Sequence, residues 1–397
     1  MPDNTITGVP ESSYDPYEPS NLLFPYEGYD ELRKMGPAVW LTQHNMYALT
    51  HYEIVKQALT DDETFISGEG IMLNEPLNEQ LKGASLTSDG DHHRMLRGVT
   101  AKPLSPAAVR SLQDEIKFES ETLVEELVKK NHFDGVQDLA WRLPLSIVSN
   151  LVGIPEEGRS RMLVWSEAVF NAFGPLNTLG QEALPILQEL FEYANTRVTP
   201  ESVRPGSWAD GVFKAVERGE APKELAQLMI LDYIGPSLDT TISAIGSALW
   251  LFGNAPDQWD LIREDPRLIR NAVNEVLRLE SPVQSFTRHV KKDANLGGTD
   301  IPAGSRVICF YGAANQDPQE FPDPTRLDVT RKNANTHLAF GAGSHQCMGM
   351  NLARLEMAEL FTALARRVKR FHIHGEERIT NNLIRAFRHL DVEIESH

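Results

Sequence analysis

Residues 340–349 read Phe340-Gly341-Ala342-Gly343-Ser344-His345-Gln346-Cys347-Met348-Gly349, and a helical run, Asn351-Leu352-Ala353-Arg354-Leu355-Glu356, follows at once. No other ten residues constrain the chain as tightly. Three glycines around one cysteine permit positive φ angles and a close approach of the backbone to another group. A cysteine just ahead of a helix sits at the positive end of the helix dipole, which favours thiolate. Amides of such a loop can donate to the sulfur and tune its electron donation. A lone buried cysteine in a glycine turn is the bland alternative, and the length of the pattern argues against it. Cys309 is the only other cysteine, so there is no disulfide framework and a reducing compartment is expected.

Around this loop the pattern is that of one large, mainly α-helical domain over 23–397, preceded by a flexible Pro-rich arm over 1–22. The arm lacks a basic n-region and an apolar core, so it reads as neither signal peptide nor membrane anchor, and a cytoplasmic protein is expected. The net charge of −18 opposes phosphate backbones and anionic lipid, which disfavours nucleic-acid and membrane-surface roles. A short helix (Tyr29–Lys34) and a hairpin over Ala38–Thr50 turning at His44-Asn45 come first. Helical periodicity then dominates from 53 to 285. Ser105 caps a single long helix running from Pro106 to Lys130 and ending at Asn131; another covers 222–254. Short β pieces follow at Ser285–Val290, Asn295–Leu296 and Arg306–Tyr311, then the post-cysteine helix to about Lys369 and a strand-rich tail.

A thiolate on a glycine-rich loop is a ligand for haem iron, and the cysteine segment resembles the haem loop of the cytochrome P450 family. The resemblance extends from Tyr29 to the tail. It implies a triangular prism of helices with a small β region, enclosing haem b (iron protoporphyrin IX) with Cys347 on the iron and Phe340, Gly341 and Gly349 around it. Glu275-Val276-Leu277-Arg278 is similar to the Glu-x-x-Arg that braces the haem loop. Glu275 and Arg278 share a helix face, with Arg331 as third member and Arg326 as the alternative. The resemblance assigns the haem propionates to His93, Arg97, Arg288 and His345, with His92 competing with His93.

In the 222–254 run, Ser237-Leu238-Asp239-Thr240-Thr241 resembles the family's acid–alcohol motif. By that resemblance Asp239 and Thr240 relay the protons that dioxygen consumes before its O–O bond breaks. Pro236 and Ser237 stand where the family prefers Ala and Gly. Proline deletes the bond to the carbonyl of Asp232 and should kink the helix. A thiolate-haem sensor would not need the relay, and a peroxide-driven peroxygenase normally replaces it, so the pair argues against both.

Val169–Pro175, Glu280–Phe286 and Asp328–Lys332 resemble one bacterial subgroup, the P450 enzymes that O-demethylate para-substituted benzoic acids. That implies an aromatic slot walled by Phe170, Phe173 and Phe286, with Leu238 and Ile384 also at the substrate. At the positions where the subgroup clamps a carboxylate, this chain has Gln80, Gly83, Leu231 and Asp232. A buried Asp232 would repel a benzoate, and Asp232, Pro236, Asp239 and Thr240 fall on one helical stripe facing the pocket. The expected substrate is therefore a neutral aromatic ether such as a 4-alkylguaiacol, losing its methyl as formaldehyde. The alternative is a 4-methoxybenzoate held by a loop residue such as Lys82. Electrons are expected from an iron–sulfur ferredoxin and its flavin reductase, docking on Arg354, Arg366, Arg367 and Lys369, and the enzyme is expected to be a monomer.

Overall fold

The computed structural model describes residues 8–396. Eight helices frame the site: α1 (Gly90–Thr100), α2 (Gln113–Lys130), α3 (Met162–Phe173), α4 (Thr178–Thr196), α5 (Ala226–Ile234), α6 (Asp239–Asn254), α7 (Ile269–Leu279) and α8 (Met350–Arg367). The mainly helical class is as expected. No helix among the described residues is long and apolar enough to cross a membrane.

Two helices anticipated as continuous are interrupted. Ser105 does cap a helix, accepting the Ala108 N–H at 3.4 Å, but that helix stops at Arg110. The Ser111 hydroxyl donates to the Ala108 carbonyl at 2.6 Å and the Leu112 N–H to Val109 at 3.0 Å, closing a tight turn before α2. Asn131 ends α2 at φ +62°.

The second interruption, Gly235–Leu238, separates α5 from α6. Pro236 has no N–H to give the Asp232 carbonyl, so the ladder fails there. Side chains bridge the gap: the Ser237 hydroxyl donates to the Tyr233 carbonyl, and that of Thr240 to the Pro236 carbonyl at 3.0 Å.

The β region comprises a two-stranded sheet (Ala294–Leu296 with Thr299–Ile301), a three-stranded sheet of the tail strands Val368–Arg378 and Phe387–Ser396 with His132–Asp134, and a six-stranded sheet of β1 (Glu11–Ser12), β2 (Val39–Leu41), β3 (Met46–Leu49), β4 (Phe65–Ile66), β5 (Ser285–Val290) and β6 (Arg306–Phe310), ordered β1-β2-β3-β6-β5-β4. β1/β2 and β3/β6 are parallel, and the other pairs antiparallel. The stretch expected as a free arm is therefore corrected for residues 8–22, residues 1–7 lying outside the described chain. β1 pairs with β2, Asp15 meets His44 at 2.7 Å, and Tyr17 is buried. A short extended segment can order here because the sheet offers it an open edge.

Apolar side chains form one large cluster among the helices and two smaller ones around the six-stranded sheet. The cysteine loop joins the first to one of the others: Phe340 and Met348 pack on the helical cluster, Ala342 on the sheet cluster that holds Leu59. Behind the loop, Arg278 grips Glu275 through two contacts of 2.8 Å, and Arg331 reaches the same carboxylate at 3.0 Å. Arg278 and Glu275 are fully enclosed, which only a paired and hydrogen-bonded charge tolerates. Arg331 fills the third place; Arg326 contributes only its backbone carbonyl, which both arginines share.

Candidate active site

Cys347 is presented by its loop. Its N–H donates to the Phe340 carbonyl at 2.8 Å, and the Gly341 N–H to Leu338 at 2.8 Å. Gly343, at φ +72°, leaves no room for a Cβ, which would lie 2.4 Å from the Leu59 carbonyl oxygen. The amides of Gly349 and Met350, at the start of α8, point at the sulfur. Protein encloses the thiol on every side except that of a large cavity, on which it opens. Burial pushes the free thiol up; the two amides and the Arg97 and Arg354 guanidiniums oppose it. Binding a metal there would release the proton. Cys309, by contrast, is sealed in β6 and pushed up to about 11 by burial, and it is chemically quiet.

The cavity opens to solvent, and the space within it, open solvent at its mouth included, is about 1710 Å³. Cys347, Phe340 and Gly341 line one face; Asp232, Pro236, Thr240 and Thr241 line the cavity from the broken helix; Phe170, Phe173 and Phe286 close it with aromatic surface. Phe173 lies 6.2 Å from Phe170 and 6.3 Å from Phe286 between ring centres. The four-residue connection between α3 and α4 is held by Asn382. Its side-chain N–H donates to the Asn171 carbonyl at 2.8 Å, and its side-chain oxygen accepts from Asn177 at 2.8 Å.

His93 and His345 also line the cavity, stacked with ring centres 4.0 Å apart; Nε2 of His93 is buried without a partner, and that of His345 lies 3.8 Å from the Asp89 carboxylate. Burial, then the neighbouring His345 and Arg97, pulls His93 down to about 4. Arg97, which donates to the Gln346 carbonyl, and Arg288 join them in the lining. Four unsatisfied or cationic donors gathered beside a thiol fit a flat group that carries carboxylates and a thiophilic metal, and haem is such a group. The orphaned His93 nitrogen is the observation that carries this fit.

Several expected site residues lie elsewhere. The helix break turns Asp239 off the common stripe: Asp232, Pro236 and Thr240 line the cavity, and Asp239 does not. It opens α6 instead, with its N–H 3.4 Å from the Ser166 hydroxyl of α3. Leu238 is fully buried outside the lining, because the same break directs it into the core. Ile384 pairs with Val283 and faces a separate small crevice beside Tyr17. Gly349 acts through its amide rather than as cavity wall. Lys82 is at the surface, 3.9 Å from Glu69, so it does not enter the cavity. The supposed docking cations are also committed. Arg366, Arg367 and Lys369 pair with Glu121, Glu125 and Glu395 at 2.9, 2.9 and 2.5 Å. Arg354 turns inward over the Phe340 ring at 4.8 Å.

Two carboxyls of the broken helix stand out electrostatically. Asp232 is pushed up to about 7 by burial, against the pull of Arg97 and a hydrogen bond with Ser85, and its Oδ2 has no partner. Asp239 is pushed up to about 8 by burial first and by the charge of Glu167 second. The sequence contains no local sign of Ser85 or Glu167 as neighbours, because both contacts join segments far apart in the chain.

The cytochrome P450 family model matches residues 251–386. Over its full length the chain is 34% identical to the cytochrome P450 CYP199A2 of Rhodopseudomonas palustris, covering 99% of this chain and 96% of that one. It is 26% identical to linalool 8-monooxygenase of Pseudomonas putida, with coverage of 93% and 95%. Among solved structures, Mycobacterium marinum cytochrome P450 CYP268A2 in complex with pseudoionone superposes with a TM-score of 0.86 at 27% identity, over 98% of this chain and all of that one.

Proposed function

Because the chain belongs to the cytochrome P450 family of haem-thiolate monooxygenases, we propose that it O-demethylates a small neutral aromatic ether, best represented by a 4-alkylguaiacol, giving a catechol and formaldehyde. One observation carries this choice of substrate. Asp232 offers an unpartnered carboxyl oxygen inside an aromatic-walled cavity. The only cations in that lining, Arg97 and Arg288, stand with the stacked histidines where a haem would take them. A phenolic hydroxyl can satisfy Asp232; a benzoate would meet a second acid and no free cation.

Haem, when bound on Cys347, supplies the oxygen activation. One oxygen atom enters a methyl C–H bond, and the other leaves as water after two electrons and two protons are consumed. The resulting hydroxymethyl ether separates into phenol and formaldehyde. Phe170, Phe173 and Phe286 clamp the ring, and Asp232 accepts from the hydroxyl next to the methoxy group and so fixes which end of the ring faces the chemistry. The Thr240 hydroxyl sits in the cavity to orient water, and Asp239 donates protons to it. Ferredoxin and its flavin reductase bring the electrons singly.

Titrating the ferric, haem-loaded protein and following its spin-state change tests the substrate. A 4-alkylguaiacol should bind tightly and 4-methoxybenzoate at least about a hundredfold more weakly. Tight binding of the benzoate with no response to the guaiacol would overturn the substrate and leave the monooxygenase chemistry standing.

A further inference from the structure

Asp239 raises a problem of supply. It does not line the cavity, so what partial exposure the residue has lies outside the cavity wall. A donor in that position can work through successive turnovers only if it is recharged from the outer side. The element packed there is α3. The Ser166 hydroxyl donates to the Gly235 carbonyl at 2.7 Å and receives the Asp239 N–H at 3.4 Å, tying α3 to both ends of the helix break. Glu167 is the next residue. It is exposed to solvent, its backbone carbonyl accepts from the Asn381 side chain at 3.4 Å, and it is the one group whose charge acts on the Asp239 carboxyl.

From this geometry we propose that Glu167 is the outer member of the proton path, taking protons from solvent and passing them to Asp239, which delivers them inward past Thr240. This rests on the reading of Asp239 as the proton donor of the monooxygenase. Each transfer is one proton from a carboxyl to a carboxylate. Glu167 regains its proton from water, and Asp239 is restored before the next demand. Burial keeps Asp239 protonated and neutral up to about pH 8, so it starts with a proton to deliver. An acid beside Asp239 suits this, since a cation there would hold Asp239 ionised. Glu167 touches neither substrate nor the reacting oxygen; its role is to position and reload.

The test uses the haem-loaded protein with its electron donors. Glu167→Gln should lower turnover by about tenfold, less than the loss expected from removing the acid itself. The solvent deuterium isotope effect should rise, more reducing equivalents should escape as hydrogen peroxide, and Glu167→Asp should recover most of the loss. A second readout does not depend on turnover. The infrared band of the Asp239 carboxyl, identified by its disappearance in Asp239→Asn, should titrate at lower pH in Glu167→Gln because a like charge has gone. An unchanged isotope effect in Glu167→Gln, whatever the infrared band does, would overturn the path. So would a loss of turnover that Glu167→Asp does not restore. Wild-type coupling in Asp239→Asn would instead strike the underlying reading of Asp239.

Discussion

Thr240 Oγ1 lies 3.0 Å from the Pro236 carbonyl oxygen, closing with a side chain the turn that proline leaves open in the backbone. The hydroxyl is therefore held by the helix break and displayed in the cavity by it. Its geometry belongs to the resting protein and costs no reorganisation when a substrate arrives.

Thr240→Ala should bind substrate with unchanged affinity, because the aromatic walls and Asp232 are untouched. Product formed per reducing equivalent should fall by about tenfold or more, with the balance appearing as hydrogen peroxide. Measuring both in one assay checks it; unchanged coupling would show that the break routes protons around Thr240.

Replacing Cys347 by serine removes the soft anionic ligand while keeping the loop's shape. The purified variant should be haem-poor, and any haem retained should lack the strongly red-shifted absorption that thiolate ligation gives the reduced, CO-bound protein. Full monooxygenase activity in this variant would contradict the ligand assignment.

The helical periodicity of the sequence was enough to locate the helical stretch between 53 and 285 and to place α8 and the end of α2 within a few residues, since these helices bury apolar stripes that a single chain displays. The break between α5 and α6 was signalled by Pro236, but its consequence was not. A four-residue interruption changes the helical phase, so Asp239 and Leu238 leave the face that continuous periodicity assigns them. The Glu275–Arg278 pair was legible because i and i+3 meet on any helix. Ser85 and Glu167 were not, because no local rule brings residue 85 to 232 or residue 167 to 239. The ordering of 8–22 was hidden for a related reason: it depends on an open sheet edge supplied by residues 39–41.

Glu275→Ala should destabilise the haem-loaded protein by about 3–5 kcal/mol, because it strands two buried guanidiniums at once. A large fall in the urea midpoint without a change in slope is the expected signature. Arg331→Ala should be milder, since Arg278 keeps both of its own contacts to the carboxylate.

Asp232 makes a prediction in pH. Its carboxyl holds a proton more tightly folded, at about 7, than unfolded at 3.8, so the native state binds more protons between those values. Stability should therefore fall as pH rises from 4 to 7, by at most about 4 kcal/mol from this group alone. Asp232→Asn should remove that slope, with its stabilising effect absent near pH 4 and complete above pH 7. The same variant should weaken binding of a 4-alkylguaiacol at pH 8. Melting curves and spin-state titrations across that range check both.

The loop bearing Cys347 is where the helical cluster meets a smaller cluster at the sheet, with Phe340 and Met348 on one side and Ala342 on the other. Gly343 rests against the Leu59 backbone of the sheet half with no clearance. Denaturation should then have an order to it. Loosening the smaller cluster removes the backing of the sulfur while the helices still pack on one another. The first species to accumulate under mild denaturant would be helical, would have lost its prosthetic group and would keep only Phe170 and Phe173, on α3, as the standing wall of an empty chamber.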